Sequence, residues 1–166
     1  TLEEDEHPYP FGEERGVVLY AAEQFFSIPN SELSDIVSEV QTYENDALDG
    51  VVATQSLLDE LEAQIENLDD VETIDAFVEV VAAIETAKQA VKESADAYQA
   101  YINKCEEVKA YLASHEDFEG DMRTALETYL NESNEPDEEN PLGTYDYIVD
   151  EHTATAEEIK AETERV

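Results

Sequence analysis

The sequence predicts an all-α protein: an antiparallel helical bundle of about five helices, built on a long two-helix heptad hairpin over about 31–69 and 73–113. Three observations lead there. Apolar residues recur in alternating steps of four and three through two long stretches. Ala, Glu, Leu and Val dominate while Gly and Pro number five each, a helix-rich composition. No apolar–polar alternation longer than four residues stands out, so no sheet is expected.

Residues 1–12, TLEEDEHPYPFG, hold two prolines and an acidic cluster and read as an extended acidic arm. Residues 13–166 read as a single helical bundle domain, the default at this length. A first helix is expected from about Glu13 to Phe26, with Val18, Ala21, Ala22 and Phe25 on its stripe. Ser27-Ile28-Pro29-Asn30-Ser31 breaks it, and Asn30 or Ser31 caps the next.

The second helix carries the stripe Leu33, Val37, Val40, Glu44, Ala47, Val51, Thr54, Leu58, Leu61, Ile65 and Leu68, of which nine of eleven positions are apolar. It passes through Gly50, which costs about 1 kcal/mol relative to Ala and marks a bend. Asp69-Asp70-Val71-Glu72-Thr73 is the next break. The third helix carries Ile74, Phe77, Val81, Ile84, Lys88, Val91, Ala95, Tyr98, Ile102, Cys105, Lys109 and Leu112, ten of twelve apolar. At 1.5 Å per residue each arm would be roughly 55–60 Å long.

A shorter helix is expected over about Glu119–Asn131, with Phe118, Met122, Ala125, Leu126, Tyr129 and Leu130 on one face. Glu119, Arg123 and Glu127 stand four residues apart on it, a spacing that supports helical ion pairs. A polar loop with two prolines, 134–141, leads to a last helix from about Thr144 to the C-terminus. Its stripe is Tyr145, Ile148, Val149, His152, Ala156, Ile159, Thr163 and Val166.

Charge is the most unusual property of the chain. It has 44 Asp and Glu against 8 Lys and Arg, a net charge of −36, yet 42% of its residues are apolar. That apolar content suffices for a core, so the chain is no disordered acidic tail. Scarce Lys and Arg argue against direct binding to a nucleic-acid backbone. Dense like charge destabilises a compact state at low salt, and molar salt screens it over about 3 Å. The acidic, Lys-poor composition resembles that of haloarchaeal proteins, although Glu outnumbers Asp by 30 to 14, a less even split than expected there. Carboxylates in such a protein hold water and diffuse monovalent cations.

The sequence names no reaction. Its three histidines, His7, His115 and His152, do not supply the paired Glu-x-x-His of a di-iron bundle. Asp46-x-x-Asp49-Gly50 lacks the spacing of an EF-hand. No Gly-rich phosphate loop or hydrolase motif occurs, so no catalytic, metal or cofactor-binding residue is assigned. Cys105, alone on an apolar stripe, reads as a small buried hydrophobe and His152 as a satisfied core histidine. Tyr98, Tyr101, Tyr111, Tyr129, Tyr145 and Tyr147 read as packing at the core boundary ahead of a pocket or partner surface. Lys88, Lys92, Lys104 and Lys109 share the third helix, and those on the stripe, Lys88 and Lys109, are expected to pair with Glu of a neighbouring helix. One Asn-x-Ser sequon, Asn131-Glu132-Ser133, is no more than chance supplies.

The function these features favour is a non-enzymatic helical sensor, adaptor or binding module of a halophile, exposed on the cell surface or secreted as part of a larger protein. It would act through a protein partner or self-association and meet a membrane only through a segment outside this chain. One alternative is a cytoplasmic coiled-coil scaffold. Another is an acidic mimic or inhibitor that binds a basic partner.

Overall fold

A computed structural model describes residues 33–166. The expected arm over 1–12, the first helix over 13–26 and its break over 27–31 lie outside the described residues. The bundle is all-helical, with no strand among the described residues. Its helices are α1 (Leu33–Leu48), α2 (Gln55–Glu66, closed by a 3₁₀ turn at Asn67–Asp70), α3 (Ile74–Ser114), α4 (Asp121–Asn131), α5 (Tyr145–Glu151) and α6 (Ala156–Arg165).

Two expected helices are each broken in two. The stripe over 31–69 runs on through residues 49–54, but the backbone there is not helical. Gly50 takes φ +74°, a left-handed conformation that ends α1. The 3₁₀ turn after α2 packs against α1. A straight continuation would carry that turn tens of ångströms away, so the chain doubles back at Gly50. The stripe survives because both halves face inward: Leu33, Val37, Val40, Glu44, Ala47, Thr54, Leu58, Leu61, Ile65 and Leu68 are all buried. The helix expected from Thr144 onward stops at His152, whose φ of 32° is again left-handed. α6 restarts behind Thr155, where a capping box joins Thr155 and Glu158 in both directions.

The described residues form two compact units. The first comprises 33–51 and Ser56–Lys92, and thus α1, most of α2 and the first part of α3. Val40, Leu61, Ile65, Leu68, Phe77, Val81, Ile84 and Val91 are almost wholly buried in it. Each such side chain contributes about 1.5–3 kcal/mol through burial. The second unit comprises Val52–Gln55 and Glu93–Val166. Its core joins Tyr98, Tyr101, Cys105 and Leu112 of α3 to Tyr129 and Leu130 of α4, Tyr145 and Ile148 of α5, and Ile159 of α6.

One arginine fastens the α3–α4 turn. Arg123 Nη1 donates to the carbonyls of His115 (2.9 Å) and Phe118 (3.1 Å), and Nη2 to that of Leu112 (3.2 Å). It thereby satisfies the Leu112 carbonyl near the end of α3 and ties down the turn that follows it. Its Nε pairs with Glu127 at 2.7 Å, the four-residue spacing expected from the sequence.

Candidate functional site

Two clusters of polar groups in the second unit join different segments of the chain. The first is the strap 52–55. Thr54 donates its N–H to Ser94 Oγ (2.8 Å) and its hydroxyl to the carbonyl of Ala154 (2.7 Å). The Ser94 hydroxyl therefore donates back to Thr54 Oγ1, also at 2.8 Å. Tyr98 adds a hydrogen bond to the same Ala154 carbonyl at 3.1 Å. His152 Nδ1 donates to the carbonyl of Ala53 (2.7 Å), while Gln55 N–H donates to the carbonyl of His152 (2.8 Å). A carbonyl only accepts, so the proton sits on Nδ1. His152 is thus a half-buried, satisfied histidine at a helix end.

The second is a relay of side chains across α3, α4 and α6. Tyr129 donates its hydroxyl proton to Glu162 Oε1 at 2.5 Å. Its one proton being committed, the Tyr101 hydroxyl must donate to Tyr129 across 2.6 Å. Glu162 then takes Arg165 in a fork, Nε to Oε2 at 2.9 Å and Nη2 to Oε1 at 2.5 Å. Arg165 Nη2 also reaches Asn140 Oδ1 at 3.0 Å, and its guanidinium lies 5.0 Å from the Tyr129 ring centre. Burial first, and second the bond each donates (Tyr101 to Tyr129, Tyr129 to Glu162), hold both phenols far above their ordinary range, while the bond Tyr129 accepts from Tyr101 acts the other way. They stay protonated and act as donors, and the relay ties three helices together.

Beside the relay lies a groove of about 580 Å³. Met122, Ala125, Leu126 and Tyr129 of α4 supply its apolar lining. Asn140 and Arg165 line it from the loop and from α6, and Asp121 and Glu139 bring negative charge. Met122 is 69% exposed, the most exposed large apolar side chain among the described residues.

The residues singled out from sequence are distributed as follows. Cys105 is fully buried beneath Tyr101, and burial pushes its thiol up to about 11, so it is a poor nucleophile at neutral pH. Lys88 pairs across helices with Glu44 at 3.2 Å, and with Glu85 on its own helix at 3.3 Å. Lys109 pairs instead with Glu106 of its own helix (3.0 Å) and stands 4.1 Å over the Tyr145 ring. Tyr98, Tyr101 and Tyr129 lie deeper than the boundary position expected, while Tyr111 is half-exposed and stacks on the exposed His115 at 4.0 Å. Sequence reasoning missed Glu162 and Arg165. Glu162 follows Ile159 by three residues on the inner face of α6, a spacing that could have flagged it.

Among the described residues no three His, Cys, Asp or Glu side chains stand where they could share a metal ion. None of the described helices is long and apolar enough to cross a membrane. No protein-family model, no curated protein and no solved structure matches the chain.

Proposed function

We propose that this chain is a non-enzymatic helical binding module, of the sensor or adaptor kind, that works in concentrated salt as a surface-exposed or secreted part of a larger halophile protein. The observation that carries the reading is the placement of charge. Of the 36 Asp and Glu among the described residues, 31 are exposed and only Glu44 and Glu162 are buried. The carboxylates are thus mostly solvent interface, and the buried polar groups of the second unit are spent on one another. A coating of that density repels itself over the roughly 30 Å Debye length of dilute buffer and is screened at molar salt. The cytoplasmic scaffold reading gains less, because the heptad stripes it would use for self-association are already buried within the chain.

Helicity followed by circular dichroism from dilute buffer to about 3 M KCl tests the reading. Helix content and the urea midpoint rise steeply with salt if it holds. A chain fully folded and equally stable without salt overturns it.

A further inference from the structure

We propose that the groove along α4 is a docking site for a basic amphipathic helix. This deepens the binding-module reading and rests on it. Met122, Ala125, Leu126 and Tyr129 stand at i, i+3, i+4 and i+7, the spacing of a helix's apolar stripe. The stripe is covered at one end only: Tyr129 is buried, Leu126 half-buried, and Ala125 and Met122 exposed. A second helix laid along it would complete a helix–helix contact of the helix-in-groove kind.

The charge of the lining selects the occupant. Asp121 and Glu139 are exposed, while the one cation, Arg165, is already engaged in a fork by Glu162. The groove therefore offers uncompensated negative charge around an apolar strip. An anionic ligand meets that charge unfavourably. So does a second copy docking through the same groove, which sets its own Asp121 and Glu139 directly against these. A helix with Leu-like residues on one face and Lys or Arg beside them fits both features. In molar salt the apolar contact persists, and ion pairs count only within about 3 Å.

The probe is a fluorescent synthetic Leu–Lys amphipathic helix of about four turns, with an oligolysine of equal charge as control. Fluorescence anisotropy is read at a KCl concentration where circular dichroism shows full helicity. The expected result is saturable binding of the Leu–Lys helix, weakened at least about tenfold by Met122→Asp and by Leu126→Asp. Met122 is exposed, so Met122→Asp keeps its helicity even if Leu126→Asp does not. Oligolysine binds weakly and equally to all three proteins. Equal binding of both probes, or affinity unchanged in Met122→Asp, overturns the proposal. So does sedimentation showing a wild-type dimer that Met122→Asp dissociates, since a second copy is then the occupant. Failure here with helicity still rising in salt removes the docking site and leaves the salt-adapted module standing. Full folding without salt does the reverse.

Discussion

Among the described residues, the first unit buries the ion pair of Glu44 with Lys88 and leaves Glu44 Oε2 with no hydrogen-bond partner. The second buries a carboxylate too, but Glu162 accepts from Tyr129 and from the Arg165 fork. Both units draw on α3 and the same heptad pattern, and they differ in how many partners the buried carboxylate receives. Desolvation raises the proton affinity of Glu44, which Lys88 only partly offsets. The contrast separates a buried charge that is a liability from one held as part of a tie between helices.

The largest effect is expected where that contrast is greatest. Lys88→Met leaves Glu44 fully buried without its cross-helix partner and costs about 3–5 kcal/mol in urea unfolding. Glu44→Leu combined with Lys88→Met recovers most of the loss, because apolar replacement of both partners is often neutral. The pH dependence has a definite sign. Folded Glu44 binds its proton more tightly than the unfolded chain does, so its contribution is most favourable below its ordinary value of 4.5. That contribution declines as pH rises through 4.5 toward the folded value. Removing Lys88 exaggerates the shift, so Lys88→Met regains stability on acidification more than the wild type does. A single mutant within about 1 kcal/mol of wild type at neutral pH would show that the pair is not desolvated as its burial indicates.

The loop that lines the groove is next. Gly143 takes φ +89°, and a Cβ there would stand 2.6 Å from Tyr147 Cδ1 and 2.7 Å from the Asn134 carbonyl. Strain and crowding together make Gly143→Ala cost about 2–4 kcal/mol. Amide exchange should quicken through residues 134–147 ahead of α1. Unchanged exchange there would mean that the loop absorbs the methyl group.

The tyrosine relay gives a smaller, ordered pair. Tyr129→Phe removes the hydroxyl that both accepts and donates, at about 1–3 kcal/mol, whereas Tyr101→Phe removes only a terminal donor and costs about 0.5–1.5 kcal/mol. The reverse order would invert the proton directions assigned above. Absorbance at 295 nm offers a check, since burial first pushes Tyr98 up to about 12. The unfolded chain releases its phenolic protons first, near pH 10, so stability falls as pH rises above that value. Part of the tyrosine absorbance change should therefore appear only with unfolding.

Periodicity made the helical class, the inward stripes, the burial of Cys105 and the Lys88 pairing legible. It could not show the fold-back at Gly50. A heptad stripe records which face is buried, and α1 and α2 bury the same face in either arrangement. His152 escaped for a related reason: its place on the stripe is real, but a left-handed backbone is written in no spacing. Arg123 was visible as a helical partner for Glu127. Its three bonds to carbonyls of the preceding turn depend on how α3 ends, which side-chain patterns do not encode.

Gly50 allows the sequence expectation and the fold to be opposed by the sign of one measurement. In a continuous helix over 31–69, Gly50→Ala would stabilise the chain by about 1 kcal/mol, since Ala is the better helix former. At φ +74° the same methyl group has open space around it but strains the backbone, so the substitution destabilises by about 1 kcal/mol. Crowding plays no part here, which sets Gly50 apart from Gly143 and makes it the purer report on backbone geometry. Urea unfolding of Gly50→Ala at fixed molar salt decides between the two. A midpoint above that of the wild type restores the uninterrupted arm and removes the turn from the first unit; a midpoint below it, with unchanged helicity, fixes the doubling back at this residue.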